Sequence, residues 1–123
     1  MKRALVIEDQ RPVRESIGEI LKLADISPRL VGDGHAALSM AQAESFDLIT
    51  VDLNMPSLDG LSVIEALVSE DGPNRSTPLI VISAYLNDDT EATLEGLGVV
   101  GYLPKPFEAE KLLLLVKDHI GKS

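Results

Sequence analysis

Residues 46–52 read Phe-Asp-Leu-Ile-Thr-Val-Asp, a short apolar run that stops abruptly at an acid. A half-exposed strand alternates apolar and polar side chains, whereas the near-continuous pattern of Phe46, Leu48, Ile49 and Val51 marks a parallel strand buried on both faces. Pro56 and then Asp59-Gly60 force a loop directly after it. Asp52 therefore falls at the carboxyl end of a central strand, the edge of an open α/β sheet where ligands bind. A carboxylate placed there needs a chemical reason.

The rest of the chain repeats the motif, strand then helix, with no internal repeat, low-complexity segment or linker, and such alternation predicts βαβ units. Ala4-Leu5-Val6-Ile7 is a buried strand cut off by Glu8-Asp9. A helix follows with Pro12 in its first turn and Val13, Ile17, Ile20, Leu21 and Ala24 along one face. Ser27 to Val31 is a short strand whose Pro28 suits an edge position. Asp33-Gly34 opens a small-residue helix with Ala37, Leu38 and Ala41 inward, ending near Glu44. Asp59 caps a third helix carrying Leu61, Ile64 and Leu67 or Val68. Asp71-Gly72-Pro73-Asn74 is a turn cluster and the expected loose point. Leu79 to Ile82 is the fourth strand, ending at Ser83-Ala84. Asn87 to Thr90 opens a helix with few strong apolar residues and a weak hold on the core. Val99 to Leu103 is the fifth strand, and Phe107 leads into a last helix reaching Ile120. These elements predict a three-layer α/β/α sandwich with a parallel five-stranded sheet and right-handed crossovers.

At 123 residues the chain is read as one domain over 1–123, with no output module attached. It has no cysteine, which excludes disulfides, thiolate metal sites and a cysteine nucleophile. Its net charge of −9 and lack of a basic stripe argue against nucleic-acid or anionic-membrane binding. No signal peptide or membrane-spanning run is present, so a cytoplasmic location is expected. His35 and His119 lie on helices away from the Asp52 edge and read as surface residues.

Set side by side, four of the five strand ends deliver polar groups to one edge: Glu8 and Asp9, Asp52, Ser83, and Lys105. Three converging carboxylates repel one another and raise each other's pKa values unless a cation joins them. An oxygen-only ligand set suits a hard ion such as Mg²⁺ (or Mn²⁺), which keeps several waters and also binds phosphate oxygens.

Glu8-Asp9, Asp52-Leu53-Asn54-Met55-Pro56, Asp59-Gly60, Ser83-Ala84 and Gly101-Tyr102-Leu103-Pro104-Lys105-Pro106-Phe107 occur in that order and spacing along essentially the whole chain. Together they resemble the receiver domain of two-component response regulators, of the stand-alone type similar to the chemotaxis response regulator. The resemblance implies a flavodoxin-like strand order 2-1-3-4-5. It further implies in-line phosphoryl transfer from a phosphohistidine to Asp52, catalysed by positioning and charge neutralisation. By the same resemblance, Asp9, Asp52 and the Asn54 carbonyl would hold the ion, with Glu8 acting through water. Lys105 and the Ser83 hydroxyl would contact phosphoryl oxygens, and Pro106 would follow a cis peptide bond. Ser83 and Tyr102 form the expected switch, with Tyr102 turning inward once Ser83 is drawn to the phosphate.

The expected partners are a histidine kinase or histidine phosphotransfer protein and a downstream protein on the helix 4/strand 5/helix 5 face. On that face Leu114 stands about 160° from Leu112 at 100° per residue, an exposed apolar contact for a partner or a weak phosphorylation-dependent dimer. Glu8 replaces the family's more frequent aspartate, Ser83 stands where threonine is also common, and Tyr85 is bulky at the mouth of the site. Enzymatic turnover beyond self-phosphorylation and autodephosphorylation is not expected. A Mg²⁺-dependent phosphatase of the haloacid dehalogenase type is the rival, but it wants a second acid two residues after the nucleophile, where this chain has Asn54. A flavodoxin-like FMN module wants a hydroxyl- and glycine-rich loop where this chain has Glu8-Asp9-Gln10-Arg11-Pro12.

Overall fold

A computed structural model of the chain describes residues 1–56, 58–69 and 72–120. Five strands alternate with five helices: β1 Lys2–Ile7, α1 Arg11–Leu23, β2 Ile26–Val31, α2 Gly34–Ala43, β3 Leu48–Val51, α3 Gly60–Ser69, β4 Leu79–Ser83, α4 Asp88–Gly96, β5 Gly101–Pro104 and α5 Ala109–Ile120. All pairings are parallel, in the expected order β2-β1-β3-β4-β5. Pro28 sits on the edge strand β2, opposite Ala4, where its missing N–H interrupts no second ladder.

The sheet is buried on both faces because alternate residues of each strand feed two separate cores. Leu5, Ile7, Ile49, Val51, Leu79 and Val81 pack with Ala37 and Ala41 of α2, Val63, Ile64 and Leu67 of α3, and Leu94 of α4. Ala4, Val6, Leu48, Ile80 and Ile82 face the other way, against Ile17, Ile20 and Leu21 of α1 and Leu112 and Val116 of α5. The apolar faces read from the helical periodicity are the ones buried. Val63 joins them in α3, and Leu114 is 61% exposed, as its angular position requires.

Caps agree with their residues as well. Asp33 accepts from Ala36 N–H, Asp59 from Ser62 N–H and Asn87 from Thr90 N–H, all at 2.9 Å.

Beyond shifts of one or two residues at element ends, two places differ from expectation. Val99 is not in β5: its N–H donates to Leu94 O at 3.0 Å, closing the end of α4 around Gly98, whose φ of 91° is glycine territory. Asn74, expected in a loose turn, is buried and fully engaged; Asp71 of the same cluster lies outside the described residues. Asn74 Oδ1 accepts from Phe46 N–H at 2.7 Å. Its Nδ2 donates to Ala41 O at 2.6 Å and Glu44 O at 2.8 Å. Thr77 Oγ1 adds bonds to Asn74 Oδ1 at 3.1 Å and Phe46 O at 3.0 Å. One amide thus ties the end of α2, the entry to β3 and the approach to β4, which no local turn signal encodes.

Asn74→Ala leaves a buried N–H and two carbonyls without their partner and is expected to cost about 2–4 kcal/mol in urea unfolding. A loss below about 0.5 kcal/mol would show that the network is dispensable.

Candidate functional site

The parallel topology brings the carboxyl ends of β1, β3, β4 and β5 to one edge, and with them Glu8, Asp9, Asp52, Ser83 and Lys105. Glu8 is 1% exposed and Asp52 4%, so both carboxylates sit within the protein. Carboxylate oxygens of Glu8, Asp9 and Asp52 lie within 4.8 Å of one another.

Lys105 Nζ is the cation among them. It donates to Glu8 Oε2 at 3.1 Å, Asp52 Oδ2 at 3.2 Å and Gln10 Oε1 at 3.3 Å, engaging all three of its protons. Its approach to Glu8 Oε1 at 2.9 Å is a charge contact without hydrogen-bond geometry. The Lys105–Pro106 peptide bond is cis, as expected.

Backbone amides hold the acids in place: Gln10 N–H donates to Glu8 Oε2 at 3.1 Å, and Asn54 N–H to Asp52 Oδ1 at 3.2 Å. Arg14 Nη1 donates to Glu8 O at 2.8 Å and Asp9 O at 3.4 Å, bracing the loop from α1. Gly60 closes the site from below. A Cβ there would lie 2.1 Å from Asp52 O and 2.7 Å from Leu53 Cα, so only glycine lets α3 start this close to the Asp52 backbone. Gln10, Arg14 and the close approach at Gly60 are additions to the residues singled out in the sequence. Of these, only the Asp59-Gly60 turn gave a signal.

Burial pushes the Glu8 carboxyl above its ordinary range, against the lowering effect of Lys105 and Gln10 N–H, and the Asp52 charge adds to the rise. For Lys105, burial opposes the ammonium but is outweighed by hydrogen bonds and charges from Glu8 and Asp52, which hold its pKa above the usual lysine value. The donor set fits a divalent cation: it is oxygen-only, and Asp9 Oδ1 is buried with no hydrogen-bond partner among the described residues.

Ser83 ends β4 beside this group and is fully buried. Its Oγ accepts from Tyr85 N–H at 3.2 Å, within its own loop. Tyr102 is half-buried, with its hydroxyl at the surface donating to Glu95 Oε2 of α4 at 2.7 Å. That bond, followed by burial and the charges of Glu95 and Glu91, pushes the phenol pKa up to about 12. Beside Lys105 an apolar groove of about 590 Å³ runs between α1 and the β5–α5 loop, lined by Pro12, Val13, Ile20, Ala84, Pro106 and Phe107.

The sequence model of the response regulator receiver domain matches residues 4–117. The chain belongs to that family. A receiver domain is a phosphorylation-controlled switch of two-component signalling, which excludes the haloacid dehalogenase-type phosphatase as the reading of this site. The response regulator MprA of Mycobacterium tuberculosis is 39% identical over 123 residues, covering 98% of this chain and 51% of that protein. The chain thus spans about half the length of the curated relatives it matches. Among solved structures, chemotaxis protein CheY4 of Vibrio cholerae superposes with a TM-score of 0.88 at 27% identity, over 97% of this chain and 98% of that one. The receiver domain of a sensor histidine kinase from Pseudomonas aeruginosa superposes with a TM-score of 0.83 at 28% identity, over 98% of both chains. That structure carries a magnesium ion in its active-site cleft. Among the described residues, no helix is long and apolar enough to cross a membrane.

The raised folded-state pKa of Glu8 sets a sign. Its contribution to stability is fully present below the ordinary glutamate value and is lost as pH rises through the raised value. Glu8→Gln is therefore expected to raise the melting midpoint by a few degrees near neutral pH in EDTA, with the gain vanishing below about pH 4. A lower midpoint at neutral pH would mean that the Lys105 pair outweighs the cost of burying the charge.

Proposed function

We propose that residues 1–123 form a single receiver domain that takes a phosphoryl group onto Asp52 from a phosphohistidine. The observation that carries this is the convergence of the Glu8, Asp9 and Asp52 carboxylates at the carboxyl edge of the sheet, with Lys105 paired to Glu8 and Asp52. In the transfer, an Asp52 oxygen forms a bond to phosphorus as the phosphorus–nitrogen bond breaks. The electron pair leaves with the imidazole, which takes a proton from solvent. The in-line displacement needs orientation and neutralised charge more than bond-making groups from the protein.

Asp9, Asp52 and the Asn54 carbonyl would hold Mg²⁺ (or Mn²⁺), with Glu8 acting through water, and the bound ion would supply positive charge to phosphoryl oxygens. Lys105 already donates to Asp52 and would keep one proton for a phosphoryl oxygen, while the Ser83 hydroxyl would exchange its Tyr85 N–H contact for another. The domain itself is not a turnover enzyme beyond self-phosphorylation from phosphodonors and autodephosphorylation. Tyr85, exposed at the mouth of the site, would slow attack by water on the phosphoaspartate.

The phosphodonor would be a histidine kinase or histidine phosphotransfer protein. Its carrier helix would lie along the groove beside Lys105, which adjoins the acceptor edge and is mostly apolar. Readout would run through Ser83 and Tyr102 to the α4–β5–α5 face and a protein target or a weak phosphorylation-dependent dimer. The acidic balance of the chain supports a protein listener rather than direct nucleic-acid or membrane contact, and a cytoplasmic setting is where such a listener and the kinase domain would meet it.

Incubation with acetyl phosphate and Mg²⁺ is expected to give an acid-stable, base-labile adduct of phosphoryl mass on the peptide containing Asp52. The adduct should be absent in Asp52→Asn; persistence in that variant overturns the acceptor assignment. Leu114→Glu should weaken the phosphorylated dimer or target complex in sedimentation while changing unfolding free energy by less than about 0.5 kcal/mol. A loss well beyond that would place Leu114 in the core instead.

A further inference from the structure

The helix α4 is anchored lightly. Leu94 is its buried residue, and its first turn carries Asp88, Asp89 and Glu91 with no basic residue in the last turn. Against this weak packing stands one short side-chain bond from the sheet, Tyr102 Oη to Glu95 Oε2 at 2.7 Å. Its acceptor is charged, which makes it stronger than a neutral pair. Glu91, one turn earlier, adds its negative charge at the same hydroxyl, as the phenol pKa of about 12 reflects. The N-terminus of α4 follows Ser83 closely: Asn87 caps the helix, and the intervening loop is tied to the Ser83 hydroxyl through Tyr85 N–H. The same short helix is therefore held at one end by the Ser83 loop and near the other by Tyr102.

We infer that Glu95 is a positioning residue that latches Tyr102 in its outward orientation and holds α4 against β5 in the unphosphorylated domain. For the ring to turn inward, its hydroxyl must release a carboxylate acceptor, so the latch sets the threshold that phosphorylation must overcome. The inference rests on the proposed Ser83–Tyr102 readout and names the group that opposes it. A ligand shifts a two-state equilibrium only by its differential affinity, so weakening the resting state raises apparent affinity for a phosphoryl mimic at Asp52.

The test titrates beryllofluoride with Mg²⁺ into the intact chain and follows the Tyr102 ring signals by NMR. Glu95→Gln is expected to tighten beryllofluoride binding about threefold, in line with a charged acceptor replaced by a neutral one at the surface. Its free-state Tyr102 shifts should move along the line joining the free and beryllofluoride-bound wild type. On a Tyr102→Phe background, which lacks the hydroxyl, Glu95→Gln should add nothing. Glu108→Gln, an equal charge change on the exposed approach to α5, should leave affinity unchanged.

Unchanged affinity in Glu95→Gln overturns the latch, as does an equal gain in Glu108→Gln, which would be long-range charge. A gain that persists without the Tyr102 hydroxyl overturns it too. If the wild type fails to bind beryllofluoride, the proposed phosphoryl site itself falls, and the latch with it. Binding without any movement of the Tyr102 shifts removes the readout and the latch that opposes it, and leaves the phosphoryl site standing.

Discussion

A sheet buried on both faces can present polar groups only at its ends, and that constraint organises everything else in the molecule. With every strand parallel, the carboxyl ends of all five point the same way, so one edge collects the polar termini of β1, β3, β4 and β5. The two cores hold the strands rigidly behind that edge, α1 and α5 on one side, α2, α3 and α4 on the other. Such a frame fixes where each side chain starts, and the bonds from Gln10 N–H, Asn54 N–H and Lys105 then orient the acids.

The resulting concentration of negative charge is the second constraint. Glu8 and Asp52 are buried beside each other with Asp9 adjacent, and Lys105 is a neutralising group for both. The pair is not settled by Lys105 alone: Glu8 is still pushed upward and Asp9 retains an oxygen without a partner. The edge is thus suited to accept positive charge. A further polar tie, Tyr102 to Glu95, lies where the sheet meets its most lightly anchored helix.

Much of this was legible in the residues. The near-continuous apolar character of residues 46–51 announced two-sided burial, because burying both faces removes the need for alternation. Pro28 marked an edge strand because it lacks a donor, and the spacing of Leu112, Val116 and Leu114 separated the inner from the outer face of α5. The caps Asp33, Asp59 and Asn87 were readable because a cap acts on residues only three positions away. Asn74 was misread for the opposite reason. A turn-rich composition looks the same whether its asparagine faces solvent or three distant backbone segments. Val99 was misplaced because a β-branched pair resembles a strand start, while a closing hydrogen bond to Leu94 keeps it with α4.

The sequence by itself determined the elements, their order, the faces they bury and the identity of the acids and the lysine, since these depend on local periodicity and on motifs with fixed spacing. The tertiary structure decided how those groups meet. Lys105 reaches Glu8, Asp52 and Gln10 across 97, 53 and 95 positions of chain. Gly60 must be glycine because the β3–α3 loop folds back until Asp52 and Leu53 backbone atoms lie against it, and Tyr102 bonds Glu95 where the end of α4 meets β5. The Lys105 contacts are fixed by packing over long chain separations, and the two nearer ones by how a loop and a helix fold back, neither of which a periodic pattern encodes.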